Sequence, residues 1–168
     1  MIAGTFIVIF LAMALTYFVG MRTSVVGDSM EPALYNSQEI LINRFVYRLS
    51  SPKRGDVVVF LPNGNQNSHY YVKRIIALPG ETVQIINGRV YIDGEMLEEA
   101  ELYDKISDPG IAGNEITLGT DEYFVLGDNR NSSEDSRSGN IGAVKKDTII
   151  GKAWFHLKSE EGNLGFIE

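Results

Sequence analysis

From residue 2 to residue 20 the chain carries no charged side chain. As a helix rising ~1.5 Å per residue this stretch spans roughly 28 Å, enough to cross the hydrocarbon core of a bilayer. After Gly20 the pattern changes to short runs rich in branched and aromatic residues: Asp56-Val57-Val58-Val59-Phe60, Thr82-Val83-Gln84-Ile85-Ile86, Arg89-Val90-Tyr91-Ile92 and Glu122-Tyr123-Phe124-Val125-Leu126. Runs of this kind, separated by turn residues, predict strands. Asn87-Gly88 sits between two of them at the spacing of a two-residue hairpin, and Asp93-Gly94 marks the next reversal, which predicts a meander over residues 82–98. Residues 148–157 read as a closing strand, and residues 63–68 and 108–114 as exposed loops. No helical period of normal length follows Gly20, and there is no internal repeat. The expected fold is mainly β: a single N-terminal transmembrane helix followed by antiparallel sheet.

Ala12-Met13-Ala14 has the small-x-small form of a signal-peptide cleavage site. A basic segment before the apolar run is missing, however, and the run continues to Val19, which favours a retained anchor. Arg22, Arg44, Arg48, Lys53 and Arg54 all follow that anchor, so charge bias alone would keep the main domain cytoplasmic. The remainder of the 168 residues is the size of one compact domain with a proper core. With no cysteine, disulfides and thiol catalysis are excluded. The net charge of −7 argues against nucleic acid as a partner.

Candidate chemistry lies in Gly27-Asp28-Ser29-Met30-Glu31-Pro32 and, downstream, Tyr71-Val72-Lys73-Arg74-Ile75-Ile76-Ala77-Leu78-Pro79-Gly80. A serine nucleophile needs a base, and a lysine can serve once burial lowers its pKa from about 10.4. In a strand Lys73 shares a face with Ile75, while Val72 and Arg74 point away, so the apolar wall must come largely from other segments. Taken singly, a serine beside glycine and proline is an ordinary turn residue, and a strand lysine is usually solvated. Ser29 with His156 is a formal alternative, without a G-x-S-x-G elbow. Asp128, Asn129 and Asp135 imitate a calcium loop, but Arg130 interrupts the spacing and the central glycine is missing.

Four ordered blocks resemble the type I signal peptidases, membrane-bound serine proteases that remove signal peptides from exported preproteins. They are Ser29-Met30-Glu31-Pro32-Ala33-Leu34, Arg54-Gly55-Asp56-Val57-Val58-Val59-Phe60, residues 71–80, and Gly127-Asp128-Asn129-Arg130-Asn131-Ser132-Ser133-Glu134-Asp135-Ser136-Arg137-Ser138-Gly139. The resemblance implies Ser29 as nucleophile, Lys73 as base, Ser133 as a hydroxyl that orients the lysine, and an Asp135–Arg137 ion pair holding the loop. It implies the Ser29 backbone N–H as one oxyanion donor. The second is unassigned, because Gly27 stands where some members carry a hydroxyl. Ala33 and Asn131 also depart from the Thr and Asp expected of the family.

The resemblance further implies that an extended signal peptide adds as a strand along residues 22–27 and 70–73, with small side chains at the first and third positions before the cut. Val25, Val26, Gly27, Met30, Tyr71 and Val72 would form the substrate site. The implied partners are signal peptides and the lipid bilayer, with no cofactor, no metal and no nucleic acid. The implied layout is an anchor over 1–21, a catalytic β domain from 22–80 and 122–168 on the extracytoplasmic side, and a small β domain inserted at 81–121. Its shortness is similar to that of the Gram-positive members. Two rivals are a self-cleaving repressor-type peptidase, which would need a DNA-binding domain, and an idle relative that assists surface-protein assembly such as that of pili.

Overall fold

The computed structural model describes residues 2–98, 102–159 and 163–167. It opens with the helix α1 (Ile2–Val19), and a one-turn helix, α2 (Val46–Leu49), follows later. The strands of the larger sheet are β1 (Met21–Ser24), β2 (Glu39–Asn43), β3 (Val57–Phe60) and β4 (Tyr71–Ala77). The smaller sheet follows in sequence as β5 (Thr82–Ile86), β6 (Arg89–Ile92), β7 (Glu95–Met96) and β8 (Ile116–Thr117). The chain then returns to the larger sheet through β9 (Glu122–Leu126), β10 (Val144–Lys145), β11 (Ile149–His156) and β12 (Gly165–Phe166).

The larger sheet runs β1-β2-β11-β3-β4-β9-β10 with β12 on β11, and the smaller runs β7-β6-β5-β8. Every ladder among the described residues is antiparallel, so the fold is mainly β. The smaller sheet is a meander because its turns demand it. Asn87 and Gly88 take φ of 52° and 77°, and Asp93 and Gly94 take 50° and 82°, the paired left-handed conformations that match strand twist. Register shifts within the β11 and β4 ladders bend the larger sheet. The curl brings the segment after β1 opposite β4.

Three apolar clusters hold these layers. Val25, Met30, Leu34, Ile40, Ile42, Val57, Val59, Val72 and Ala153 pack beneath the turn that carries Ser29. Val58, Phe60, Ile75, Tyr123 and Val125 cover the other face of β3 and β4. A third cluster joins the sheets, setting Ile76, Phe124 and Leu126 against Val83, Ile85 and Val90. Residues 110–113, expected as open loop, form a single 3-10 turn whose Ala112 is buried in that third cluster. The aromatic stretch at 45–47 is divided: the Tyr47 hydroxyl donates to Asp56 at 2.9 Å, whereas Phe45 is partly exposed.

In α1 the side chains of residues 2, 3, 11 and 14–19 lie outside those described, and so does that of Ala14 in the small-x-small pattern. Among the described residues no helix is long and apolar enough to cross a membrane.

Candidate active site

Ser29 sits in a turned segment between β1 and β2. Gly27 opens the turn at φ 79°, a left-handed conformation that costs glycine little, and its N–H donates to Asn36 Oδ1 at 2.9 Å. Next to Ser29, Met30 is fully buried, and the Leu34 N–H donates to the Met30 carbonyl at 2.9 Å. The serine is therefore held up from a packed floor. From the far side Asn129 donates its backbone N–H to the Ser29 carbonyl at 3.1 Å and its side-chain amide to the Asp28 carbonyl at 3.2 Å.

Lys73 comes from the middle of β4 and is 4% exposed. Its Nζ donates to Ser29 Oγ at 2.6 Å, joining residues 44 positions apart. Burial lowers its pKa from 10.5 to about 8, against the opposing pull of Asp135, Glu134 and Asp128 and with a smaller assisting push from Arg137. An amine with that pKa is still mostly protonated at pH 7 and becomes half neutral near pH 8, within reach of proton abstraction in a way that an ordinary lysine is not.

The loop after β9 completes the surroundings. Arg137 forks onto Asp135, with Nε to Oδ1 and Nη2 to Oδ2 both at 2.8 Å, and Asp135 Oδ2 also accepts the Gly127 N–H at 3.1 Å. The paired residues expected from sequence are thus in contact. Ser133 behaves differently from expectation: its Oγ is buried yet bonds to no described residue, so the hydrogen bond to Lys73 is not made. The hydroxyl lies against Gly127, in the space a Cβ at that position would take beside the Ser29 carbonyl.

A second fork, not anticipated from sequence, lies on the opposite face of β4. Arg74 donates Nε to Asp128 Oδ1 at 2.8 Å, Nη2 to Oδ2 at 2.7 Å and Nη1 to the Gly55 carbonyl at 2.8 Å. Strand alternation puts Arg74 opposite Lys73, and a buried arginine demands a carboxylate, which is the signal that could have found it. Asp128 and Asp135, which imitate a calcium loop, are therefore both engaged by arginines. His156 shares a 2.9 Å hydrogen bond with Gln38, a structural role apart from Ser29, whereas His69 lines the cleft.

That cleft, about 280 Å³, is walled by Val25, Val26, Gly27, Tyr71, Val72 and Glu134 around Ser29 and Lys73. Met30, expected among the substrate contacts, lies in the core beneath and does not line it. Among the described residues both walls keep some unused backbone: Val25 pairs with Gln38 and Ser37 and the Gly27 N–H goes to Asn36, which leaves the backbone of Val26 unpaired, and β9 joins β4 from Arg74 onward, which leaves residues 71–73 with one open edge.

Comparison with known proteins gives a consistent picture. The family model described as signal peptidase, peptidase S26, matches residues 1–157. Signal peptidase I P of Bacillus subtilis subsp. natto is 39% identical over 132 residues, covering 74% of this chain and 70% of its own. A probable signal peptidase I-2 of Synechocystis is 36% identical over 150 residues, covering 87% of this chain and 66% of its own. A signal peptidase I of Enterococcus faecalis V583 superposes with a TM-score of 0.48 at 34% identity, covering 60% of this chain and 95% of that one. The family match and the named relatives define the class as serine endopeptidase. The chain belongs to the signal peptidase family, peptidase S26.

Proposed function

We propose that this chain cleaves signal peptides from exported preproteins with Ser29 as nucleophile and neutral Lys73 as general base. The observation that carries the reading is the 2.6 Å approach of Lys73 Nζ to Ser29 Oγ inside a cleft with open backbone on both walls. The substrate enters extended and pairs with residues 25–27 on one side and 71–73 on the other, so main-chain hydrogen bonds supply affinity. Lys73 takes the Ser29 proton as Oγ attacks the scissile carbonyl, then returns it to the leaving amine. Water, deprotonated by the same amine, hydrolyses the acyl-enzyme.

The developing oxyanion meets the Ser29 N–H, which has no partner among the described residues. The Gly27 N–H is committed to Asn36, so the second donor has to come from another group or from water. Asp135 and Arg137 hold the loop in place. Ser133, buried against Gly127, makes no hydrogen bond to Lys73 among the described residues, so its part in orienting the amine is not carried by a contact here.

The anchor belongs to the same proposal. Phe6, Ile7, Val8, Ile9, Phe10 and Met13 of α1 are 50–71% exposed, an apolar surface that water does not favour and lipid does. α1 is then a single-pass anchor, the catalytic domain of residues 22–80 and 122–168 lies on the extracytoplasmic side, and residues 81–121 form its small inserted domain. Confinement of enzyme and substrate to one bilayer raises their effective concentration. The catalytic reading is tested with purified full-length protein in detergent, a signal-peptide substrate and a mechanism-based serine inhibitor. Turnover and labelling of Ser29 are expected, with both lost in Ser29→Ala and turnover lost in Lys73→Ala. Retained turnover in either variant overturns the dyad.

A further inference from the structure

Three carboxylates act on the Lys73 amine: Asp135, Glu134 and Asp128. Two are neutralised by arginine forks, Asp135 by Arg137 and Asp128 by Arg74. Glu134 differs. It is exposed on the rim of the cleft that holds Ser29 and Lys73, and its Oε2 accepts the Tyr71 hydroxyl at 3.3 Å instead of an arginine. It forms no ion pair with any described residue. The other titratable groups lining this cleft are Asp28, His69, Tyr70 and Tyr71, and Asp28 also lacks an ion pair among the described residues. Once Lys73 is neutral and able to act as base, carboxylates carry the formal charge of the cleft.

We infer that Glu134 is a specificity-determining residue, favouring substrates with a basic side chain close to the scissile bond; this rests on the peptidase activity proposed above. Reach supports it. Lys73 Nζ lies 5.6 Å from the centroid of the Tyr71 ring, and the hydroxyl of that ring holds Glu134, so one aromatic side chain links the reacting amine to the carboxylate. A lysine or arginine one or two residues from the cut is long enough to cover that span. Tyr71 also restrains the carboxylate before substrate arrives, which reduces the entropy lost on pairing. Because the group is open to water, the preference is modest, about three- to fivefold.

The test uses the full-length protein and peptides carrying lysine or norleucine at the second position before the cut or at the first or second after it. In the wild type one of these positions is expected to favour lysine about three- to fivefold in kcat/KM at low salt, less as salt rises. Glu134→Gln is expected to abolish that ratio, and Glu134→Lys to make the same position favour glutamate. Ratios within one enzyme cancel any change in the titration of Lys73. Equal cleavage of lysine and norleucine peptides by the wild type, or a preference that survives Glu134→Gln, overturns the assignment. Failure to cleave any peptide would instead strike at the peptidase reading.

Discussion

Lys73 and Arg74 are neighbours on β4 with opposite surroundings: Arg74 forks onto Asp128, while among the described residues Lys73 hydrogen-bonds a serine hydroxyl at 2.6 Å and no carboxylate. One cation is fully paired. The other is buried without a direct carboxylate partner, which lowers its pKa to about 8. Strand alternation alone separates the arginine-paired face from the one that meets Ser29.

Activity should therefore rise with pH. In the proposed mechanism the base is the neutral amine, whose fraction grows through about pH 8, so kcat/KM is expected to climb about tenfold per unit below that value and level off above it. A pH–rate profile of the purified enzyme checks this. A profile that falls between pH 7 and 9 contradicts it.

Stability should move the other way when the charge is removed. The folded state lowers the lysine pKa from 10.5 to about 8, so the protonated amine costs stability that is fully present below pH 8 and vanishes above 10.5. Lys73→Met is expected to be more stable than wild type by on the order of 1–3 kcal/mol at pH 7, with the gap closing toward pH 10.5. Urea titrations at several pH values measure it.

Gly127 has no room for a side chain, since a Cβ there would meet the Ser133 hydroxyl and the Ser29 carbonyl. Gly127→Ala is expected to displace the turn that carries Ser29 and, on the proposed mechanism, to lower kcat/KM by roughly a hundredfold. Inhibitor labelling of Ser29 should slow in parallel. Unchanged labelling contradicts the geometry.

Much of this was legible in sequence because local chemistry specifies it. Asn87-Gly88 and Asp93-Gly94 can hardly do other than turn, and β5, β6 and β9 follow the predicted runs. β1 and β2 were not predicted as strands, since Met21–Ser24 is polar in part and draws its order from pairing with Glu39–Asn43. The Ser29 and Lys73 blocks could be seen, but their contact is made by the curl of the sheet. Ser133, Met30 and Arg74 show the limit. Whether a hydroxyl turns toward one neighbour, a methionine sinks into the core or an arginine finds its carboxylate is decided by packing across distant segments.

Asn131, a departure from the acid expected there, is a case of its own. Its Oδ1 accepts the Ser107 N–H at 2.8 Å and its Nδ2 donates to the Lys105 carbonyl at 2.9 Å. An aspartate can do only the first. Asn131→Asp is expected to cost about 1 kcal/mol and to raise amide exchange at Ser107 and its neighbours. Unchanged exchange there sinks the prediction.

The Asp128 fork is expected to matter more. Asp128→Ala leaves the Arg74 guanidinium buried without its carboxylate and should destabilise by about 3–5 kcal/mol. Arg74→Met in the same chain should recover part of the loss, as a double-mutant cycle in denaturant would reveal.

If the substrate pairs as proposed, the open edge at residues 71–73 also acts as a filter on what the protease can attack. A strand edge with unused N–H and C=O groups accepts any chain that can lie flat against it, but a folded protein has already committed its own backbone to itself. Only a segment that is still extended and narrow can enter, so the mature part of a cargo escapes once it folds. On the proposed binding mode, unpaired backbone that takes up a leader would leave finished proteins alone, and protection would come from the cargo's folding, with no need for an inhibitor.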